Sequence, residues 1–516
     1  GADIYRGVDP SLLKRRESLE RNLNAKADLL MQLRNDVSAK ESRAVIEGQI
    51  TILVSEYNEI EARVRATSPA YAAITQPQPP GVKEIQQLLG PNTLLLEYAL
   101  GDQHSYLWVI SATSIASFEL PARKEIEEAA THLYALLTAH SKKINGEREQ
   151  QRELRLEKAE AEFLPAASRL SDMLLTPAAR LLGAKRLVIV AEGALQYVPF
   201  NVLPISSAAD AVALSDKQVP VAGVTQHPRA QAGALISPPT YQPLITSHEV
   251  VTLPSISTLA VLRAELQGRK PAPQSVAILA DPVFNVYDDR VKVTGKGAAI
   301  NSGVRPGMRD LERAANDTGV LDVGSNISRL PFSGQEARAI VAAARKAKLV
   351  LGFDANLSMA KSPELGDYRV VHFATHGLVD SKHPELSGIV LSLLDRQGRP
   401  QEGFLRLNAI YKLRLPVELV VLSACQTGLG KEVRGEGLVG LTRGFMYAGA
   451  ARVIASLWKV DDEATSELMG YFYKEMIGAD KPPSEALRSA QLNMLKQRRW
   501  KYPYYWAAFT IQGEWK

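Results

Sequence analysis

Apolar positions change their spacing along this chain, and the changes divide it. From Asp9 to Arg65 they recur every three or four residues, as in Leu12, Leu19, Leu23, Leu29, Leu30 and Leu33, with charged residues between them. That period belongs to amphipathic helices. No proline or glycine falls between Ser11 and Glu47, so the pattern predicts two long helices that break near Gly48. No self-similar period of about 34 residues is present. Residues 1–66 therefore read as a helical hairpin or as the end of an α-solenoid. Pro69 and the run Gln76-Pro77-Gln78-Pro79-Pro80-Gly81 close this part.

Beyond the prolines, short apolar runs alternate with helical spacing. Thr93–Tyr98, Tyr106–Ile110 and Ser117–Leu120 predict three strands, followed by a helix over about 122–140. The charged stretch Lys142–Glu162 predicts an exposed helix or a mobile loop. A helix near Ser168–Leu182 and a strand at Arg186–Val190 come next. A second alternating stretch opens with Val276-Ala277-Ile278-Leu279-Ala280-Asp281-Pro282. It continues with a helix over 334–346, a strand over 348–351, a helix over 437–448 and a strand over 452–458. Alternation of this kind predicts an α/β fold. Residues 67–270 and 271–516 read as two α/β lobes behind the helical segment. Between Val286 and Ser328 periodicity almost vanishes, as expected of a surface insertion or of a lid beside a cleft.

Two strands of the second lobe carry the candidate chemistry. Arg369-Val370-Val371-His372-Phe373-Ala374-Thr375-His376-Gly377 and Glu418-Leu419-Val420-Val421-Leu422-Ser423-Ala424-Cys425-Gln426-Thr427-Gly428 each open as a β-branched run and end in polar residues followed by glycine. Parallel strands of this type deliver side chains to a crevice at their carboxyl ends. His376 and Cys425 are expected on the same edge. A thiol with an ordinary pKa of about 8.5 is a poor nucleophile near neutrality, and an imidazole within reach supplies the base and then the acid. Glycine after the histidine leaves its N–H accessible. The N–H groups of Gly377 and Cys425 would then hold the oxyanion of a tetrahedral intermediate. His372 lies within its strand and is expected to be buried and hydrogen-bonded. Ser423 lies two residues before Cys425, so alternation places both side chains on one face and Ser423 beside the pocket for the residue preceding the cut.

Composition narrows the alternatives. With 516 residues, 46% hydrophobic and 23% charged, the chain is long enough for two or three globular domains. It has no run of about eighteen apolar residues and no signal-peptide pattern, so no membrane partner is expected. Cys425 is the single cysteine, which excludes an internal disulfide and fits a reducing, cytoplasmic setting. The net charge of +5 is spread out, and direct nucleic-acid binding is not expected. No G-x-S-x-G elbow and no phosphate-binding G-x-x-x-x-G-K-[ST] loop occurs. His372 and His376 stand four apart on a strand rather than a helix, which does not suit a zinc pair. Neither a metal nor a cofactor is expected.

The run Val371–Gly377, then Ser423-Ala424-Cys425-Gln426-Thr427-Gly428, Gly435-Glu436-Gly437-Leu438, Gly444-Phe445-Met446-Tyr447-Ala448-Gly449-Ala450 and Ser456-Leu457-Trp458-Lys459-Val460-Asp461-Asp462-Glu463-Ala464-Thr465, resembles the CHAT domain. That family consists of caspase-like and separase-like cysteine peptidases, often fused to tetratricopeptide repeats. The resemblance covers residues 67–516 and is best after about residue 329. It implies a caspase-like (clan CD) α/β fold, with a pseudo-protease lobe over 67–270 bracing an active lobe over 271–516. It also implies a His376/Cys425 dyad acting on a protein substrate, and a regulatory protein or complex bound through the helical region. Any tetratricopeptide repeats would lie upstream of Gly1. In several relatives of this clan an aspartate at the place of Ser423 selects Arg or Lys. Here the segment Trp458–Glu463 resembles a separase segment whose acidic residues recognise arginine. Asp461 or Asp462 is thus expected to supply the missing charge, although either would also serve as the cap of a helix starting near Glu463. The function expected is a cysteine endopeptidase cutting after a basic residue; the alternative is a catalytically silent scaffold.

Overall fold

A computed structural model describes residues 8–33, 40–67, 80–142, 144, 146–205, 241–291, 321–322, 326–327, 329–378, 387–423, 425–426 and 437–515. The amphipathic start forms helices α1 (Pro10–Leu33) and α2 (Lys40–Thr67), which pack on each other. Gly48, where the sequence predicted a break, sits inside α2. An interior glycine costs a helix about 1 kcal/mol. Ile46 and Ile50 on either side of it are buried in a cluster with Leu23, and that burial outweighs the cost.

After α3 (Val82–Leu89) the chain builds one large sheet. Its strands are β1 (Thr93–Ala99), β2 (Ser105–Ile110), β3 (Ile115–Leu120), β4 (Arg186–Val190), β5 (Val250–Leu253), β6 (Gln274–Ala280), β7 (Ala347–Leu351), β8 (Tyr368–Ala374), β12 (Leu419–Leu422), β14 (Arg452–Ser456) and β15 (Phe509–Gly513). Among the described residues its order is β3-β2-β1-β4-β5-β15-β14-β12-β8-β6-β7. Strands from before residue 254 form one half, and strands from after residue 273 form the other.

In the first half β1 pairs with β4 and β4 with β5 in parallel, while β2 and β3 extend the sheet from β1 as antiparallel strands; in the second half β14 with β12, β12 with β8, β8 with β6 and β6 with β7 are all parallel. The halves meet at β15, which runs antiparallel to β14 and parallel to β5 through the single register pair Gln512 and Thr252. The two sets of parallel strands therefore run in opposite directions, and their carboxyl ends lie on opposite edges of the sheet. Strands β4, β8, β12 and β14 are almost wholly buried, as parallel strands covered on both faces must be.

Helices α4 (Arg123–Leu137) and α5 (Glu149–Leu174) pack together beside the first half. Continuous α5 replaces the separate charged stretch and later helix expected from the sequence, because Pro165 is accommodated inside it. Its buried stripe of Phe163, Ala166, Ala167, Leu170 and Leu174 runs across the proline without interruption. Helix α6 (Ile256–Leu266) precedes β6. In the second half, α7 (Pro331–Ala343) and α9 (Asp462–Tyr473) pack together on one face, and α8 (Gly437–Tyr447) lies on the other. Alternation along β8 assigns the faces. His372 points to Tyr473 of α9, while Phe373 packs against Phe445 of α8 with ring centroids 5.7 Å apart. Helix α10 (Pro483–Leu495) comes before β15.

Four short strands make a second sheet at one edge: β9 (Gly377–Leu378), β10 (Gly388–Val390), β11 (Phe404–Arg406) and β13 (Cys425–Gln426), in the order β11-β10-β9-β13. Most of the stretch from Val286 to Ser328, expected to be an insertion or lid, lies outside the described residues. The α/β class with a mostly parallel sheet behind a helical segment agrees with the sequence expectation. Among the described residues no helix is long and apolar enough to cross a membrane.

Candidate active site

Strands β8 and β12 are parallel neighbours, with Phe373 opposite Leu422 at their carboxyl ends. Both chains continue from that edge into the small sheet. There Gly377 pairs with Cys425, and Leu378 with Gln426, in a parallel ladder. Paired strands lie about 4.8 Å apart, so the backbone after His376 runs directly beside the backbone of Cys425.

Local bonds fix how His376 enters this ladder. The Val390 N–H donates to the His376 carbonyl at 2.8 Å, and the Thr375 hydroxyl donates to the Val390 carbonyl. In an antiparallel pair, bonded and non-bonded residues alternate, so Gly377, opposite Ile389, turns its amide away from β10 and toward β13. Only 2% of His376 is exposed, and the Phe284 ring lies against its imidazole with centroids 5.2 Å apart and planes tilted by 51°. Phe284 belongs to a small apolar cluster with Ile327, Leu378, Val390 and Leu393, separate from the main core.

Ser423 turns to the face of the sheet that carries α7 and α9. Its N–H donates to the Phe373 carbonyl at 2.9 Å, and its hydroxyl donates to Glu336 Oε1 at 2.5 Å. Glu336 is only 3% exposed. His372 is fully buried beside it, with Nε2 3.0 Å from the same carboxylate oxygen and Nδ1 2.9 Å from the Tyr473 hydroxyl. The Nε2 approach is off the ring N–H direction, making it an electrostatic contact rather than a hydrogen bond. Burial, and after it the charge of Glu336, holds the Tyr473 phenol well above its ordinary range, so the hydroxyl keeps its proton. His372 is thus the buried, hydrogen-bonded residue that its mid-strand position implied.

The two aspartates near α9 have different surroundings. Asp461 is the N-cap of α9, its Oδ1 accepting the Ala464 N–H at 3.0 Å. Burial pushes the Asp462 carboxyl up to about 6. Lys459 opposes this shift, and Asp461 and Glu336 add to it. Asp462 and Glu336 therefore share one electrostatic environment. Ser423 opens onto it, Asp461 lies at its margin through the cap, and His376 and Cys425 stand at the strand ends beyond.

Glu336 and Phe284 had no place among the sequence candidates. Glu336 is an isolated acid on a helix whose buried face otherwise presents Ser333, Gly334, Ala337 and Ile340; that lone charge on an apolar stripe was the available signal. Phe284 carried none, since its partner lies 92 residues onward. Among the described residues no group of three or more His, Cys, Asp or Glu side chains is placed to hold a metal ion.

A model of the CHAT domain family matches residues 164–514, more than half of the chain. Tetratricopeptide repeat protein 28 of Mus musculus is 25% identical over 336 residues, which is 64% of this chain and 12% of that protein. Its Homo sapiens counterpart is 24% identical over 336 residues, with the same shares. The chain spans 12% of the length of these curated relatives. Among solved structures, one of the Saccharomyces cerevisiae separase–securin complex superposes with a TM-score of 0.46 at 10% identity, over 86% of this chain and 31% of that one. A second structure of that complex gives a TM-score of 0.49 at 9% identity, over 89% and 32%.

Proposed function

The chain belongs to the CHAT domain family, and from that premise we propose that it is a cysteine endopeptidase with Cys425 as nucleophile and His376 as proton carrier. In this reading the Cys425 thiolate attacks a peptide carbonyl, while the amide of Cys425, joined by that of Gly377 once it is freed from the ladder with β13, takes the charge that develops on the oxygen. His376 then protonates the leaving amine, and water releases the acyl group. The observation that carries the proposal is the ladder pair Gly377 and Cys425 at the carboxyl ends of adjacent parallel strands, one residue after His376. Residues 271–516 are the proposed active lobe and residues 67–270 a lobe that braces it.

Cleavage after Arg or Lys is the proposed specificity. Support comes from the buried acidic environment of Ser423, where the charge of Glu336 adds to the upward shift of Asp462 and would favour a cation. A basic side chain there would make charge-assisted bonds worth about 1.5–3 kcal/mol each. The helical segment over residues 1–66 is the proposed docking site of a regulatory protein, and a reducing cytoplasm is the proposed setting for the thiol.

The test is cleavage of a peptide library by the full chain. Cys425→Ala and His376→Ala should each remove turnover, and the wild-type products should end in Arg or Lys. Turnover that survives Cys425→Ala refutes the mechanism. A folded wild type with no turnover, with and without partners of the helical region, turns the assignment to a catalytically silent scaffold. A preference for acidic residues before the cut overturns the specificity alone.

A further inference from the structure

The first residue after β6 adopts a conformation that needs explaining. Asp281 has φ of +48°, in the left-handed region that non-glycine residues seldom occupy. It is 7% exposed, and its surroundings account for its persistence. Its carboxylate accepts two bonds from Arg329, from Nε at 2.8 Å and Nη2 at 2.7 Å. Arg290 Nη1 lies 2.9 Å from Oδ2 and also donates to the Asp281 carbonyl at 2.8 Å. Asp288 balances this second guanidinium, accepting from it at 2.6 Å and 2.8 Å. The Asp281 N–H donates to Ser333 Oγ at 3.2 Å, at the start of α7.

These bonds join two stretches of chain that flank His376. Arg290 follows Phe284 by six residues, and Arg329 follows Ile327 by two. Both Phe284 and Ile327 belong to the small cluster under the histidine. The left-handed turn at Asp281 leads directly into Val283, whose N–H donates to Ser392 Oγ at 2.9 Å and whose carbonyl accepts the Leu393 N–H at 2.8 Å. Phe284 is thereby delivered against the imidazole. One buried carboxylate therefore pins both stretches whose apolar residues form the wall behind His376.

We propose that Asp281 is a positioning residue for His376, acting through Phe284: it holds the phenyl wall that sets the imidazole plane relative to Cys425. This rests on the peptidase reading of the dyad. The consequence concerns the thiol. A correctly aimed imidazole favours the thiolate, and a ring free to tilt favours it less, so disturbing the wall should weaken the activation of Cys425 without removing it.

Because Cys425 is the single cysteine, its alkylation by iodoacetamide reports on the site without any knowledge of substrate. The pH profile of that reaction is measured for the full chain, for His376→Ala, for Asp281→Asn and for Phe284→Leu. Phe284→Leu keeps the cluster apolar while removing the ring, and it serves if Asp281→Asn does not fold. In the wild type the midpoint should lie about 1–3 units below the ordinary ~8.5. His376→Ala should return it there, and the two wall variants should move it part of the way, by about 0.5 unit or more. A midpoint moved by His376→Ala but by neither wall variant, in folded protein, overturns the positioning role alone. One that His376→Ala leaves unmoved refutes the dyad and the positioning role with it.

Discussion

The two halves of the large sheet use the same scaffolding and finish their strands differently. In the first half β4 ends at Val190, and two residues later the Glu192 carboxylate accepts the Leu100 N–H at 2.9 Å and a bond from Arg123 at 2.7 Å. Gly193 then takes a φ of +57° with Glu127 packed so close that a Cβ would meet its Oε1 at 2.3 Å. This edge is closed by an ion pair and a tight turn. In the second half the chains leaving β8 and β12 enter a second sheet at β9 and β13, keeping His376, Gly377 and Cys425 at the edge. The halves run in opposite directions, so the closed edge and the open edge lie on opposite sides of the molecule. A crevice at a strand's carboxyl end is thus an opportunity that the following residues either take or fill.

Substitutions can break this comparison, and the largest effect is expected inside the second half. His372→Ala removes the partner of Tyr473 and leaves the buried Glu336 and Tyr473 facing a cavity, so stability should fall by about 2–4 kcal/mol in urea unfolding. The pH profile of Cys425 alkylation should stay where it is. If that profile moves as far as it does in His376→Ala, the distinction between the structural and the edge histidine is lost.

Asp462 gives the next effect, through pH. Its folded pKa of about 6 lies above the ordinary carboxylate value of about 3.9, so between these limits the folded state binds more protons than the unfolded one. Stability should therefore fall as pH rises from about 4 to 6, by no more than about 3 kcal/mol, and stay lower above that window. Asp462→Asn should flatten this slope. An unchanged slope in the variant would assign the titration to another group.

The smallest effect is expected at the closed edge. Glu192→Gln weakens the bond to Arg123 at a site about half exposed, and should cost at most about 1 kcal/mol. Alkylation of Cys425 should be untouched. Equal loss of thiol reactivity there and in His376→Ala would show that the halves are not chemically separate.

Strands β8 and β12 were legible because a buried parallel strand must be a continuous apolar run, and each run stops at the residues proposed for the chemistry. The two long helices were legible from their period, but the continuity of α2 through Gly48 was not, since packing around Ile46 and Ile50 overrides the local preference of Gly48. Pro165 misled in the same way. Strand β15 has only Phe509 and Ile511 to announce it among Thr510, Gln512 and Gly513, and its burial comes from neighbours on both sides rather than from its own pattern. The contact of Ser423 with Glu336 joins residues 87 apart, beyond the reach of any spacing rule.

That inconspicuous strand has a consequence for how the molecule comes into being. Chains emerge from the ribosome amino end first, at roughly 5–20 residues per second, and domains begin to form as they appear. Among the described strands of this sheet, the central one comes last in the sequence. Until Phe509–Gly513 is released, β5 and β14 each lack the strand that lies between them in the finished sheet. Insertion of five residues then closes both edges in one event. Release of Phe509–Gly513, rather than of the earlier strands of the half that carries Cys425, is the step that lets the whole sheet assemble.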